Sequence, residues 1–287
     1  MQRSRATWIG FSAIGLWSLL ALFTVASAPV PPFLLSALCF TIGGTIGIIW
    51  AMATGQIRIL LRIPATIYAF GTLGLFGYHA LYFSALRLAP PAQAGLIAYL
   101  WPLLIVLFSG LLPGEKLRSG HIFGALICFF GAGIIIGGDL LHPTPGALPG
   151  YILAALCALT WSGYSVLSRR LGAVPTISVT VFCLATAALS GAAHMLFEET
   201  LWPTGITGWL AVIALGLGPV GLAFFTWDIG MKSGDIQMLG TAAYAAPLLS
   251  TLILIFAGMA EPRPAVLIAA LLIATGAAIA ARAGRRR

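Results

Sequence analysis

His79 stands inside a long apolar run, with Tyr78 beside it and Tyr82 three residues on. Positions i, i+1 and i+4 of a helix share one face, so these side chains are predicted to point the same way. An imidazole titrates near neutral pH and can carry a proton or hydrogen-bond a ligand. The plainer alternative is a neutral ring satisfied by a backbone carbonyl or a neighbouring tyrosine. Trp17, Trp101 and Trp161 also lie deep within apolar runs, where an indole N–H needs a partner or a wet cavity. With Tyr78, Tyr82 and Tyr99 they suit a flat, partly apolar ligand, and ordinary core packing is the competing reading. Asp228 is the only acid well inside an apolar run, and Lys232 four residues on offers it a local ion pair. Pro102 and Pro247 interrupt two further runs as hinges or as static kinks.

Other chemistry finds no residues to carry it. There is no nucleophile–base motif, no phosphate-binding loop sequence and no metal-ligand spacing, so neither a cofactor nor a metal is expected. The four cysteines, Cys39, Cys128, Cys157 and Cys183, lie singly in apolar stretches and read as small buried residues. Gly43-x-x-x-Gly47 and Gly71-x-x-Gly74-x-x-Gly77 follow no strand and read as close helix packing, not as a nucleotide loop.

The elements that must position these groups follow from composition. Of 287 residues, 60% are hydrophobic and only 8% charged, where a soluble domain is about a quarter charged. Mean hydropathy is +1.03. So few charges suffice only if most of the surface faces hydrocarbon. The apolar runs are about twenty residues long, the length of a spanning helix and twice that of a barrel strand. The fold class is therefore an all-α integral membrane protein. Ten helices are predicted, over about 6–28, 32–54, 64–87, 91–112, 119–137, 147–168, 175–196, 206–231, 235–258 and 263–282. Arg3 and Arg5 precede the first, which is too long for a signal sequence, and Pro29 directly after Ala26-Ser27-Ala28 disfavours cleavage. The net charge of +8 comes from residues scattered between apolar runs, which argues against nucleic acid as a partner. Arg3, Arg5, Arg58, Arg62, Lys116, Arg118, Arg169, Arg170, Lys232, Arg282, Arg285, Arg286 and Arg287 fall on one side of the bilayer. Only Arg87 and Arg263 fall on the other, so the basic side, with both termini, is expected to be cytoplasmic. Arg87 and Glu115 are read as helix-end anchors, and Glu198-Glu199 as a solvated outer loop.

The chain repeats itself. Trp17-Ser18 matches Trp161-Ser162, Arg87 matches Lys232, Tyr99-x-x-Pro102 matches Tyr244-x-x-Pro247, and Glu115 matches Glu261. The two repeats are assigned to 1–143 and 144–287. Because five is odd, two five-helix halves enter the membrane in opposite senses, an arrangement that places transporter sites near the midplane where the halves meet. The run PLLIVLFSGLLPGEKL from Pro102 to Leu117, its second copy from Pro247 to Glu261, and the glycine-rich fifth helix resemble the drug/metabolite transporter superfamily with EamA-type repeats. Within it, the aromatic residues resemble the aromatic amino-acid exporters of the YddG type. The resemblance covers nearly the whole chain. It implies a bacterial inner-membrane exporter working by alternating access, with a small-molecule substrate and a central cavity lined mainly by helices 1, 3, 4, 6, 8 and 9. Phe224 aligns with His79, so the two halves of the cavity are expected to differ chemically.

Substrate contacts are accordingly expected from Trp17, Tyr78, His79, Tyr82, Tyr99, Trp101 and Trp161, with Pro102, Pro247 and Asp228 as hinge or coupling residues. Other amino acids or cationic drugs are alternative substrates. An intramembrane enzyme using His79 and Asp228 is the alternative of a different class. Their depths, estimated at about 1.5 Å per residue, put them in opposite halves of the bilayer, which disfavours a shared catalytic site. The bilayer itself is the other expected partner, and the sequence carries no signal for an oligomeric state.

Overall fold

A computed structural model describes residues 2–136 and 144–285, the side chain of Arg285 excepted. The expected end of the fifth helix at 137 and the repeat boundary at 143 lie outside the described residues. Every regular element among those described is helical. The membrane helices are α1 (Arg3–Ala26), α2 (Pro32–Ala53), α3 (Ala65–Leu88), α4 (Pro91–Ser109), α5 (Ser119–Ile136), α6 (Leu148–Arg170), α7 (Thr176–Phe197), α8 (Gly205–Ser233), α9 (Ile236–Phe256) and α10 (Pro264–Arg285). Nine are long and apolar enough to cross a bilayer on those grounds alone. The tenth, α3, has 24 residues, and its apolar run is diluted by tyrosines, glycines and His79. Pro32, Pro91 and Pro264 begin their helices, where a missing N–H costs nothing.

Helix packing obeys the internal repeat. α1 packs on α8 as α6 packs on α3, and α2 packs on α8 as α7 packs on α3. The pairs α2–α7, α4–α9 and α5–α10 are each their own counterpart. Exchanging every helix with the one five places on leaves this set unchanged, as two inverted five-helix repeats require. Small residues bring backbones together at the crossings. A Cβ on Gly43 of α2 would lie 2.9 Å from the Cα of Gly221 in α8, and one on Gly74 of α3 would lie 2.5 Å from the Tyr164 ring of α6. The outer faces remain apolar: Phe123 and Phe130 on α5 and Leu267 and Leu271 on α10 are more than half exposed, as suits contact with lipid.

Four membrane helices are interrupted. α1 breaks its regular turns at Ser18 and Leu19, α4 at Tyr99 and Leu100, and α9 at Ala243 and Tyr244. α8 widens into a π-helical turn over Gly218–Leu222, which contains Pro219. The breaks in α4 and α9 are repeat mates, each just ahead of the proline expected to bend its helix. All four interruptions fall around the same interior space.

Candidate functional site

The described residues at that space come from seven helices, α1, α3, α4, α5, α6, α8 and α9. α3 runs unbroken through it and presents Tyr78, His79 and Tyr82 along one face. The Tyr78 and Tyr82 rings lie parallel within 3°, with centroids 6.1 Å apart. His79 Nδ1 lies 2.8 Å from the Leu75 carbonyl oxygen one turn back. A carbonyl oxygen only accepts, so Nδ1 carries the proton that it donates. The imidazole is packed edge-on by Phe40 at 5.0 Å and faced by Phe224, its aligned mate, at 6.2 Å.

Three indoles pack together beside this face, with Trp161 5.4 Å from Tyr78. Trp17, Trp101 and Trp161 stand at mutual centroid distances of 6.1, 6.1 and 6.4 Å, all edge-to-face, the arrangement that ring quadrupoles favour. Trp17 Nε1 donates to the Pro219 carbonyl at 3.1 Å, so the irregular turn of α8 supplies the partner that a deep indole needs. Tyr99, at the break in α4, lies 6.0 Å from Trp101.

These groups enclose a cavity of about 290 Å³. That is close to the lower end, about 300 Å³, of typical small-molecule pockets. All seven residues expected to contact substrate line it: Trp17, Tyr78, His79, Tyr82, Tyr99, Trp101 and Trp161. Pro247, Phe224, Pro219 and Ser250 line it too, and among the described residues no Asp, Glu, Lys or Arg does. Pro102 lies outside the lining and is buried. Asp228 also lies outside it. Its carboxylate meets Lys232 Nζ at 2.8 Å and accepts from Thr176 Oγ1 at 2.7 Å. His79 and Asp228 therefore do not share this cavity.

Trp227 went unremarked in the sequence, although its ring stands 5.0 Å from Trp17 and 5.8 Å from Trp101 and is almost fully buried. Its indole donates to Ser165 Oγ at 3.1 Å. The available signal was its position three residues after Phe224, on the same face of α8.

Charge gathers at the two ends of the bundle instead. Glu115, expected as a helix-end anchor, has a side chain only 3% exposed and meets Arg169 at 2.5 Å and Arg3 at 3.2 Å. Arg169 also donates to the carbonyls of Met231 and Gly234, at 2.8 and 2.9 Å. Glu198 is likewise not solvated, with a side chain 2% exposed. It accepts from the backbone N–H groups of Phe33 and Leu34 at the start of α2, meets Arg87 at 3.0 Å, and contacts His194 at 3.1 Å. A carboxylate at a helix N-terminus satisfies otherwise orphaned donors. The cavity lies between the clusters and nearer the Glu198 end, since Leu20, Ala21, Gly95 and Ile136 on its wall sit toward that end of their helices.

An inverted-repeat bundle around an interior cavity whose described wall carries no fixed charge defines a multi-pass membrane transporter. The profile of the EamA-like transporter family matches residues 5–137 and 148–282, and the chain belongs to that family. It is 57% identical to the aromatic amino acid exporter YddG of Ancylobacter novellus over 288 residues, covering 100% of both chains. It is 27% identical to the aromatic amino acid exporter YddG of Escherichia coli K12, over 88% of each chain. A solved crystal structure at 57% identity superposes with a TM-score of 0.94, covering 99% of this chain and 100% of that one.

Proposed function

We propose that this transporter exports aromatic amino acids across a bacterial inner membrane by alternating access, with residues 1–143 and 144–287 as its two moving repeats. One observation carries the reading: a cavity of about 290 Å³ whose described lining brings together three tryptophans, three tyrosines, Phe224 and His79. Aromatic walls bind a flat ring through area and edge contacts, and indole, hydroxyl and imidazole groups can receive the polar end. The names of the two relatives point the same way. In this reading the Arg3–Glu115–Arg169 end and both termini are cytoplasmic, because the basic residues gather there. The cavity then lies toward the outside.

Purified protein in liposomes is the test. Labelled Phe, Trp or Tyr should cross with its chemical structure unchanged, while labelled Lys should cross far more slowly. Faster flux of Lys, chemical conversion of the substrate, or no flux of any aromatic amino acid would overturn the proposal.

A further inference from the structure

The orientation of His79 says which end of an amino acid it can receive. Nδ1 spends its proton on the Leu75 carbonyl at 2.8 Å. In the neutral imidazole the second nitrogen, Nε2, then bears a lone pair and no hydrogen. Nε2 has no hydrogen-bond partner among the described residues, and it is absent from the buried polar atoms that lack one, so it is open to the cavity. The cavity therefore offers an acceptor at this point. A carboxylate, which also only accepts, would meet lone pair against lone pair there. An ammonium group supplies the missing hydrogen.

The surroundings favour the same choice. Among the described residues no Asp, Glu, Lys or Arg lines the cavity, and this lone pair and the rings are the groups there that favour a cation. The faces of aromatic rings are the negative ends of their quadrupoles, and Trp is the strongest cation–π partner. Donors for a carboxylate remain elsewhere on the wall. The indole N–H groups of Trp101 and Trp161 have no partner among the described residues, in contrast to Trp17, which is committed to Pro219.

We propose that neutral His79 accepts a hydrogen bond from the substrate's α-ammonium group through Nε2, and that the carboxylate is received by the indole N–H groups of Trp101 and Trp161. This rests on the aromatic amino-acid reading and adds the polarity of binding to it.

The experiment measures binding of three ligands to the purified full chain at roughly pH 8, above the ordinary imidazole range. The ligands are tryptophan, tryptamine, which keeps the ammonium group and lacks the carboxylate, and indole-3-propionate, which does the reverse. His79→Ala should weaken tryptophan and tryptamine by roughly 10- to 150-fold and leave indole-3-propionate nearly unchanged. His79→Gln, whose amide oxygen restores an acceptor, should recover much of the tryptamine binding, and its recovery separates a lost contact from a misfolded protein. Loss of indole-3-propionate binding with tryptamine unaffected would assign His79 to the carboxylate and overturn the proposal. Unchanged binding of all three ligands would remove His79 from recognition. Failure of the wild-type protein to bind tryptophan at all would instead overturn the aromatic amino-acid reading beneath it.

Discussion

At the scale of single residues, the cavity separates side chains that look equivalent. Trp17 and Trp161 are repeat mates on one wall, yet only Trp17 has its N–H engaged, with Pro219 at 3.1 Å. A hydrogen bond of this kind contributes about 0.5–1.5 kcal/mol net. Trp17→Phe should therefore lower the thermal midpoint in detergent, whereas Trp161→Phe should leave the midpoint closer to wild type and show its effect in tryptophan affinity. Equal losses of stability in both variants would refute the distinction. Depth in an apolar run and the repeat made these two residues and Trp101 legible in the sequence, because a deep indole is conspicuous in any membrane helix. The setting of Glu198 was not legible. A two-glutamate stretch in a short loop reads as solvated, and its burial depends on Arg87, 111 positions earlier, and on the start of α2. Partners so far away leave no local pattern.

At the scale of elements, the breaks in α4 and α9 support each other. Pro102 has no N–H, and the turn ahead of it is open at Tyr99 and Leu100. The next donor, Leu103 N–H, is completed from the other repeat, donating to the Tyr244 hydroxyl at 3.1 Å in a fully buried contact. Tyr244 is 0% exposed, while its mate Tyr99 turns to the cavity. The motif Tyr-x-x-Pro thus announces two bends but not their different duties, since only the packed pair shows which hydroxyl reaches across. Tyr244→Phe should strand a buried amide and cost about 1–3 kcal/mol, read as a lower midpoint in thermal unfolding. Tyr99→Phe should change stability little and substrate affinity more. The reverse order would show that the cross-repeat contact contributes nothing. The π-helical turn of α8 was legible only as a Gly- and Pro-rich bend. That its Pro219 carbonyl becomes the partner of Trp17 follows from α1 packing on α8, a tertiary fact.

At the scale of the whole molecule, the two charged ends are unequal in what they hold. The Glu198 cluster joins α2, α3 and α7 on the side toward which the cavity is displaced. The Glu115 cluster joins the start of α1, the α4–α5 connection, the end of α6 and the α8–α9 connection, and so ties both repeats together at the end away from the cavity. Alternating access would require these helix ends to separate. Arg3 is one-third exposed, so its pairs with Glu115 and Asp235 contribute little, and the weight rests on the more buried contact of Arg169 with Glu115. Removing one partner of a buried pair is costly, because the other charge stays desolvated. Glu115→Gln should therefore penalise this arrangement relative to one in which Arg169 reaches water. A shift of about 1.4 kcal/mol changes the ratio of two conformations tenfold. Spin labels at the exposed positions Arg5 and Ala173 should report it as a longer distance population in Glu115→Gln than in the otherwise wild-type chain. Weakening the other end offers a control: Arg87→Ala, which loosens the Glu198 cluster, should not lengthen the Arg5–Ala173 distance. Identical distance distributions in Glu115→Gln and its parent would mean that the ion cluster holds the helix ends without governing their separation.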